Sequence, residues 1–420
     1  MRDAKKAVIL TYDAVSPLGT DFQEQWQRAV RGESGIGRLN RFPLEENFPV
    51  RIAGQVPECD FKPYAFLSPR ALALWPSPVF SHAMLVVHRM LEKSGIDITG
   101  KLAPRTAITF SSAVGGLDAV LSADRRMIAE KKLSPPYTNP NSCINMVGGK
   151  ISILTGATGP ITTAITACAT GLSSVIVGAM LLEQGRADLA ICGAVDFPLV
   201  EPIVAGFATM NGACRFRPGK SGRAAEVPAH ASRPFSLERR GFVISEGAGG
   251  ILIATKEFAE SHGLPYAAEI AGWSMTSDAR HFVAPNYETV KRCMAGAVAD
   301  AGIPPREIDA VNAHATSTKI GDKIEYDALR AVFGKHMPPV SANKSMTGHA
   351  MGASSALEVI LAVEGMQREI LLPTINYTPA PEMEIDCVAE GSRNLSQEYV
   401  LKNAFGFGGC NCCIVLRRKC

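Results

Sequence analysis

The chain predicts an α/β fold built from two similar halves, and three observations carry that prediction. Its 420 residues are 46% hydrophobic, enough for a large core and more than one ordinary domain. β-Branched apolar runs alternate along it with longer stretches of helical periodicity. One short motif is written twice: "CATGLSS" (Cys168 to Ser174) and "HAMGASS" (His349 to Ser355) agree at their second, fourth, sixth and seventh positions, and each leads into an apolar helix-like run.

Taken in order, "KAVILTYDAV" opens the chain as a strand, and "FQEQWQRAVRG" follows as a helix. "PVFSHAMLVVHRMLEKSG" is a second helix, closed by Gly95. "TAITFSSAV" is the next strand. "GPITTAITAC" runs β-branched and apolar into Cys168, which places that cysteine on a strand-to-helix turn. "TGLSSVIVGAMLLEQG" is apolar on nearly every face, so this helix belongs between layers and not on a surface. "ADLAICGAVD" and "GAGGILIAT" are buried strands. After Lys256 the plan repeats: "YAAEIAGWSMTSDA" as a strand, "YETVKRCMAGAVADAGI" as a helix, "IDAVNAHAT" and "PVSANKS" as strands, and "MGASSALEVILAVEGM" as a helix. The repetition implies two halves, residues 1–255 and 256–420, related by a pseudo-twofold that brings Cys168 and His349 face to face at equivalent helix starts. Residues 214–234, rich in Arg, Pro and Gly, read as a surface loop.

A net charge of +3 is too small to imply a nucleic-acid partner. No apolar run is long enough to span a bilayer, and the basic start "MRDAKKAVILTYDAVSPLG" is broken by Tyr12 and Asp13, as in an amphipathic strand. Eleven cysteines without an export signal are expected to be free thiols in a reducing cytoplasm. The cluster "CNCC" (Cys410, Cys412, Cys413) has no second pair at zinc-site spacing. It reads as small apolar residues of a closing strand, and no metal site is expected.

A cysteine at a helix start has a chemical consequence. Unsatisfied N–H groups and the partial positive charge there favour the thiolate and should depress the thiol pKa, and the same donors can hold an oxyanion. His314 closes a predicted strand, at the end where open α/β sheets gather their chemistry. His349 lies five residues after Lys344 in a glycine-containing turn that opens a helix. His82, His88, His262 and His336 have no such neighbours and read as structural or solvated.

"TACATG", "NAHATSTKIGDKIE", "NKSMTGHAMGASSALE" and "NAFGFGGCN", in that order across essentially the whole chain, resemble the β-ketoacyl-acyl-carrier-protein synthases of the I/II type, most of all synthase II. The resemblance implies a thiolase-like fold of five α/β/α/β/α layers, a cytoplasmic homodimer, and a decarboxylating Claisen condensation in fatty-acid elongation. It makes Cys168 the nucleophile that takes the acyl chain from a carrier-protein thioester. His314 and His349 would hydrogen-bond the malonyl thioester carbonyl, and the N–H groups of Cys168 and Phe407 would form the oxyanion hole. Lys344 and Glu325 match a buried charged pair, Thr316 and Thr318 the hydroxyls that hold the pantetheine arm, and Phe407 a gate. Phe405 and Val114 fall to the substrate path, Val114 at the floor of the acyl pocket. Lys131 and Lys132, with Arg215, Arg217 and Lys220, are the candidates for docking an acidic acyl carrier protein. No metal or cofactor is implied beyond the phosphopantetheine on the carrier. The chain departs from the pattern at Ala315, where a glycine is usual and a methyl would crowd the tunnel, and at Cys410, Ser236 and Arg240. A specialised ketosynthase of a polyketide or unusual-lipid pathway is the main alternative. A silent chain-length partner would lack Cys168, a coenzyme A thiolase would carry a second cysteine at His349, and a binding scaffold would not need all three groups.

Overall fold

The computed structural model describes residues 6–215 and 227–419. Its first half begins with strand β1 (Ala7–Val15). Helix α1 (Phe22–Val30) follows, its N-terminus capped by the Asp21 carboxylate, which accepts the Glu24 N–H. Helix α2 (Pro78–Ser94) has proline in its first turn and ends at Gly95 in the left-handed conformation, as the sequence predicts. Then come β2 (Thr106–Ser111), α3 (Leu117–Glu130), α4 (Asn145–Thr155), α5 (Thr170–Glu183), β3 (Leu189–Asp196), α6 (Glu201–Thr209) and β4 (Gly247–Thr255). The rest of the chain supplies β5 (Ala268–Ser277), α7 (Tyr287–Asp300), β6 (Ala310–Asn312), α8 (Lys319–Phe333), β7 (Val340–Ser341), α9 (Ala353–Arg368), β8 (Tyr399–Gly406) and β9 (Cys410–Arg418).

These strands make one ladder in the order β2-β3-β4-β1-β5-β9-β8-β6-β7. Outward from the β1–β5 junction both sides follow the same rule: opening strand, last strand, the strand before it, then the second strand. The junction itself is slender, with Val8 opposite Glu269 and Ile9 opposite Ala268. That lets the ladder fold about it, so that α5 and α9 contact strands of both sides and pack on each other as the middle layer. α2 and α4 cover the outer face of the first side, and α7, with α8 against it, covers the second. The result is the five-layered thiolase fold.

The middle helices approach so closely that only small residues fit. A Cβ on Gly171 would lie 2.5 Å from the Ala356 nitrogen, and one on Gly352 would lie 2.7 Å from the Thr170 Cβ. In the space this leaves, the Gly171 N–H donates to the Gly352 carbonyl at 3.1 Å and the Leu172 N–H to Ser355 Oγ at 3.0 Å. The glycine common to the two motifs, with Ser355 of the second, is therefore the contact between two helix starts. Helix α5, apolar all round, is buried along most of its length, as its composition requires.

Two expectations need correction here. "GPITTAITAC" is not a strand: only Ile161 bridges Ile108, with Ile108 N–H donating to Pro160 O and Thr162 N–H to Ile108 O, both at 2.9 Å. Pro160 has no N–H to give, and among the described residues no strand lies beyond this edge to extend the pairing. Ile161 and Ile165 are left 43% and 50% exposed. Of the predicted surface loop, residues 216–226 lie outside the described residues, while its flanks Cys214, Ala231 and Ser232 are buried.

Candidate active site

Cys168 sits in a single 3₁₀ turn, Ala167–Ala169, that runs into α5. The residue before it, Ala167, has φ of 49°, in the left-handed region that side chains avoid; the residue before His349 is Gly348, with φ of 69°. Both motifs are thus preceded by a residue of positive φ. The end of β8 presses against the cysteine's bend, since a Cβ on Gly406 would fall 2.1 Å from the Thr166 carbonyl oxygen. That approach brings the Phe407 backbone N–H to the Cys168 thiol.

A cavity of about 390 Å³ opens here. Cys168, His314, His349, Thr316, Thr318, Phe405 and Phe407 all lie on its wall, with Glu325 beside them. The imidazoles of His314 and His349 stand 5.7 Å apart, centroid to centroid, and nearly perpendicular at 86°. Phe405 meets His314 edge-on at 5.6 Å and Phe242 meets His349 at 5.5 Å. His349 Nδ1 lies 3.2 Å from Ser354 Oγ, whereas His314 Nδ1 is buried without a partner among the described residues. The His314 backbone is held at both ends. Its N–H donates to Glu325 Oε1 at 2.8 Å, and its carbonyl accepts Lys344 Nζ at 2.7 Å.

Burial, reinforced by the Lys344 charge, holds both imidazoles well below the usual histidine range, so both are neutral. The thiol goes the other way. Burial pushes Cys168 up to about 11, against the Lys344 charge and the Phe407 N–H, so the depressed thiol pKa expected from helix-start placement is not found in the resting site.

The charged pair also differs from expectation. Lys344 pairs with Glu358 at 2.5 Å, not with Glu325. Glu325 is occupied by the N–H groups of His314 and Ala315 and by Asn403 Nδ2 at 3.1 Å. A second lysine that the sequence reading missed, Lys402, reaches the other oxygen of Glu358 at 2.7 Å. The signal was a lone charge in the mostly apolar strand "YVLKNAFG".

Other candidates fall away from the cavity wall. Val114 packs behind it, in a cluster with Phe207, Phe242 and Met351, which do line it, because the Asp196 carboxylate holds the Val114 N–H at 2.9 Å. Ala315 turns its methyl into the core and does not crowd the cavity. Lys131 and Lys132 are exposed at the end of α3, Lys132 beside Glu130 at 3.3 Å, and neither lines the cavity. Arg215 is exposed and donates to the Ala208 carbonyl at 2.7 Å; Arg217 and Lys220 lie outside the described residues. The cations on the cavity wall are Arg240 and Lys319. Cys412 and Cys413 are buried in β9 and Cys410 is half-buried at its start.

A thiolase fold with one cysteine and two neutral histidines around a single cavity defines the class of condensing enzymes that work through thioesters. The family description "Beta-ketoacyl synthase, N-terminal domain" matches residues 4–259, and "Beta-ketoacyl synthase, C-terminal domain" matches residues 267–378. The chain is 34% identical to 3-oxoacyl-[acyl-carrier-protein] synthase 2 of Coxiella burnetii, over 99% of both chains. To the enzyme of the same name from Staphylococcus aureus it is 32% identical, over 100% of this chain and 99% of the other. Among solved structures, a β-ketoacyl synthase from Burkholderia phymatum superposes with a TM-score of 0.89 at 27% identity, over 99% of this chain and 100% of that one. A type II polyketide ketosynthase in complex with its acyl-carrier protein superposes at 0.88 with 25% identity, over 99% of each chain. The chain belongs to the β-ketoacyl synthase family.

Proposed function

We propose that the protein joins an acyl group held on Cys168 to the two-carbon unit that a malonyl thioester yields on decarboxylation, giving a 3-oxoacyl thioester on an acyl carrier protein. The observation that carries this reading is the meeting of Cys168, His314 and His349 on one cavity wall, with the Phe407 N–H on the sulfur. A thioester is electrophilic enough for a soft thiolate. As Cys168 attacks, the N–H groups of Cys168 and Phe407 take the oxyanion, and the pantetheine thiol leaves. Loss of carbon dioxide from the malonyl thioester then drives an electron pair onto its carbonyl oxygen. Two neutral imidazoles can donate to that oxygen, each such donor being commonly worth about 3 kcal/mol. The enolate carbon attacks the acyl-cysteine and the thiolate departs. Decarboxylation supplies the carbanion and the thioester carbonyl is its electron sink, so the chemistry asks for no metal or organic cofactor beyond the carrier's phosphopantetheine. Thr316 and Thr318, whose hydroxyls are 3.1 Å apart on the cavity wall, suit the amides of that arm.

The solved relative in complex with its acyl-carrier protein supports such a carrier as partner. Lys131, Lys132, Arg215 and Arg217 are the proposed docking cations, with Arg240 and Lys319 guiding the arm inside. A homodimer is supported by the unpaired edge with Ile161 and Ile165, and by Ile153, 82% exposed on the adjoining α4. Among the described residues no helix is long and apolar enough to cross a membrane, and we place the reaction in the cytoplasm. The mirrored strand order and the contact between the two motifs support an internal duplication with halves 1–255 and 256–420.

The test is incubation with a panel of acyl carriers and malonyl carrier, followed by mass spectrometry. The expected products are a carrier-bound 3-oxoacyl chain two carbons longer and an acyl adduct on the Cys168 peptide. An adduct on Cys410 or Cys412 with Cys168 untouched would overturn the assignment. One round of extension fits fatty-acid elongation; repeated extension without reduction would mark a polyketide synthase.

A further inference from the structure

Glu358, on α9, is gripped from two sides. Lys344 Nζ holds Oε1 at 2.5 Å and donates to the His314 carbonyl, while Lys402 Nζ holds Oε2 at 2.7 Å and donates to the Asn403 carbonyl at 2.5 Å. All three side chains are buried, with Lys402 fully so. A buried lysine is costly unless its charge is met, and the strand could have carried an apolar residue there. We propose that Lys402 is a positioning residue for the decarboxylation step: with Lys344 it clamps both oxygens of Glu358 and supplies the second positive charge that offsets Glu325 behind the two histidines.

The charges facing this pair come from every packed element. Lys344 lies in the turn before His349, Glu358 on α9, Lys402 on β8 and Glu325 on α8; Cys168 stands across the cavity. Asn403 Nδ2 also links Glu325 to the Cys413 thiol on β9, which lies 3.2 Å from Asn403 Oδ1. Without Lys402, Lys344 and Glu358 would cancel. Glu325 would then be the uncompensated charge nearest His314, favouring an imidazolium. An imidazolium would grip the carboxylate that must leave as neutral carbon dioxide and so stabilise the ground state. Lys402 adds to the influences that hold both imidazoles neutral.

This inference rests on the reading above, and the experiment separates the two. Carbon dioxide release from a malonyl thioester is followed against pH for the intact protein and for Lys402→Met and Lys402→Gln, with acyl adduct on Cys168 measured alongside. The acidic limb is expected to move up by roughly half to one pH unit in both variants, with acylation of Cys168 retained. Release by the intact protein with an unmoved limb in the variants would overturn the inference alone, as would failure of both variants to fold, which would make Lys402 structural. No release by the intact protein would remove the functional reading and this inference with it.

Discussion

Ser174 and Ser355 occupy the same place in the two copies of the motif, yet they have different surroundings. Ser355 accepts the Leu172 N–H and donates to the Gly352 carbonyl at 3.0 Å, whereas the Ser174 hydroxyl is buried with no partner among the described residues. The bends differ too: Ala167 before Cys168 has φ of 49°, whereas Gly348 before His349 combines φ of 69° with an extended ψ of −163°. At the sheet margins, β7 is buried in the histidine-bearing half, and its counterpart around Ile161 is half-open in the other. One backbone plan thus serves two purposes. Each copy carries one non-glycine residue at positive φ, Ala167 with φ of 49° in the first and Met351 with φ of 45° in the second, and the open edge lies on the nucleophile's side.

The largest effects should separate the chemistry of the halves. Cys168→Ala should abolish the acyl adduct and condensation while carbon dioxide release from malonyl carrier persists. His349→Ala or His314→Ala should slow that release by roughly 10² to 10³ and still allow acylation. Equal loss of both half-reactions in every variant would erase the division. Because burial raises the Cys168 thiol to about 11, its alkylation by iodoacetamide should climb about tenfold per pH unit from 7 towards 10. A plateau below pH 8 would show that the thiolate forms far more easily than this burial allows.

Next comes the contact between the motifs. Gly171→Ala would set a methyl 2.5 Å from the Ala356 nitrogen and should cost about 2 to 3 kcal/mol in chemical denaturation. Ser355→Ala removes the acceptor of a buried N–H and should cost about 1 to 2 kcal/mol, while Ser174→Ala should be neutral within about 0.5 kcal/mol. Equal costs for the two serines would contradict the asymmetry. A small change is also expected for Ala167→Gly. Relief of the left-handed alanine and the greater freedom of the unfolded chain nearly offset, so melting should shift stability by less than about 1 kcal/mol. Gly348→Ala, with Val243 O 2.9 Å from the added carbon, should cost more than that.

Much of this was legible because it is written in local patterns. Gly95, the all-apolar α5 and the strand before Lys256 each follow from residue type and period. The repeated motif located both helix starts, and the spaced blocks located the cavity residues. What escaped depends on partners far along the chain. "GPITTAITAC" has strand composition, but pairing needs a neighbour on the outer side, and among the described residues none lies there. The quoted block "MGASSALE" already contained Glu358, yet only the packing of α9 on β8 shows that Lys344 and Lys402 meet there. The thiol shift was misjudged because helix-start donors are visible in a sequence and the depth of burial around one sulfur is not. Val114 was placed on the pocket floor by the family resemblance; in the structure the Asp196 carboxylate holds its N–H and the residue is not on the cavity wall.

The middle helices also set a timetable. α5 has no polar face to show to water, and part of its cover is α9, far later in the chain. At ribosomal speeds of about 5 to 20 residues per second, the segment 256–420 takes on the order of ten to thirty seconds to appear. Throughout that interval the nucleophile's helix is covered by the strands of its own half, β2, β3 and β4, while the apolar face that packs on α9 waits for its partner.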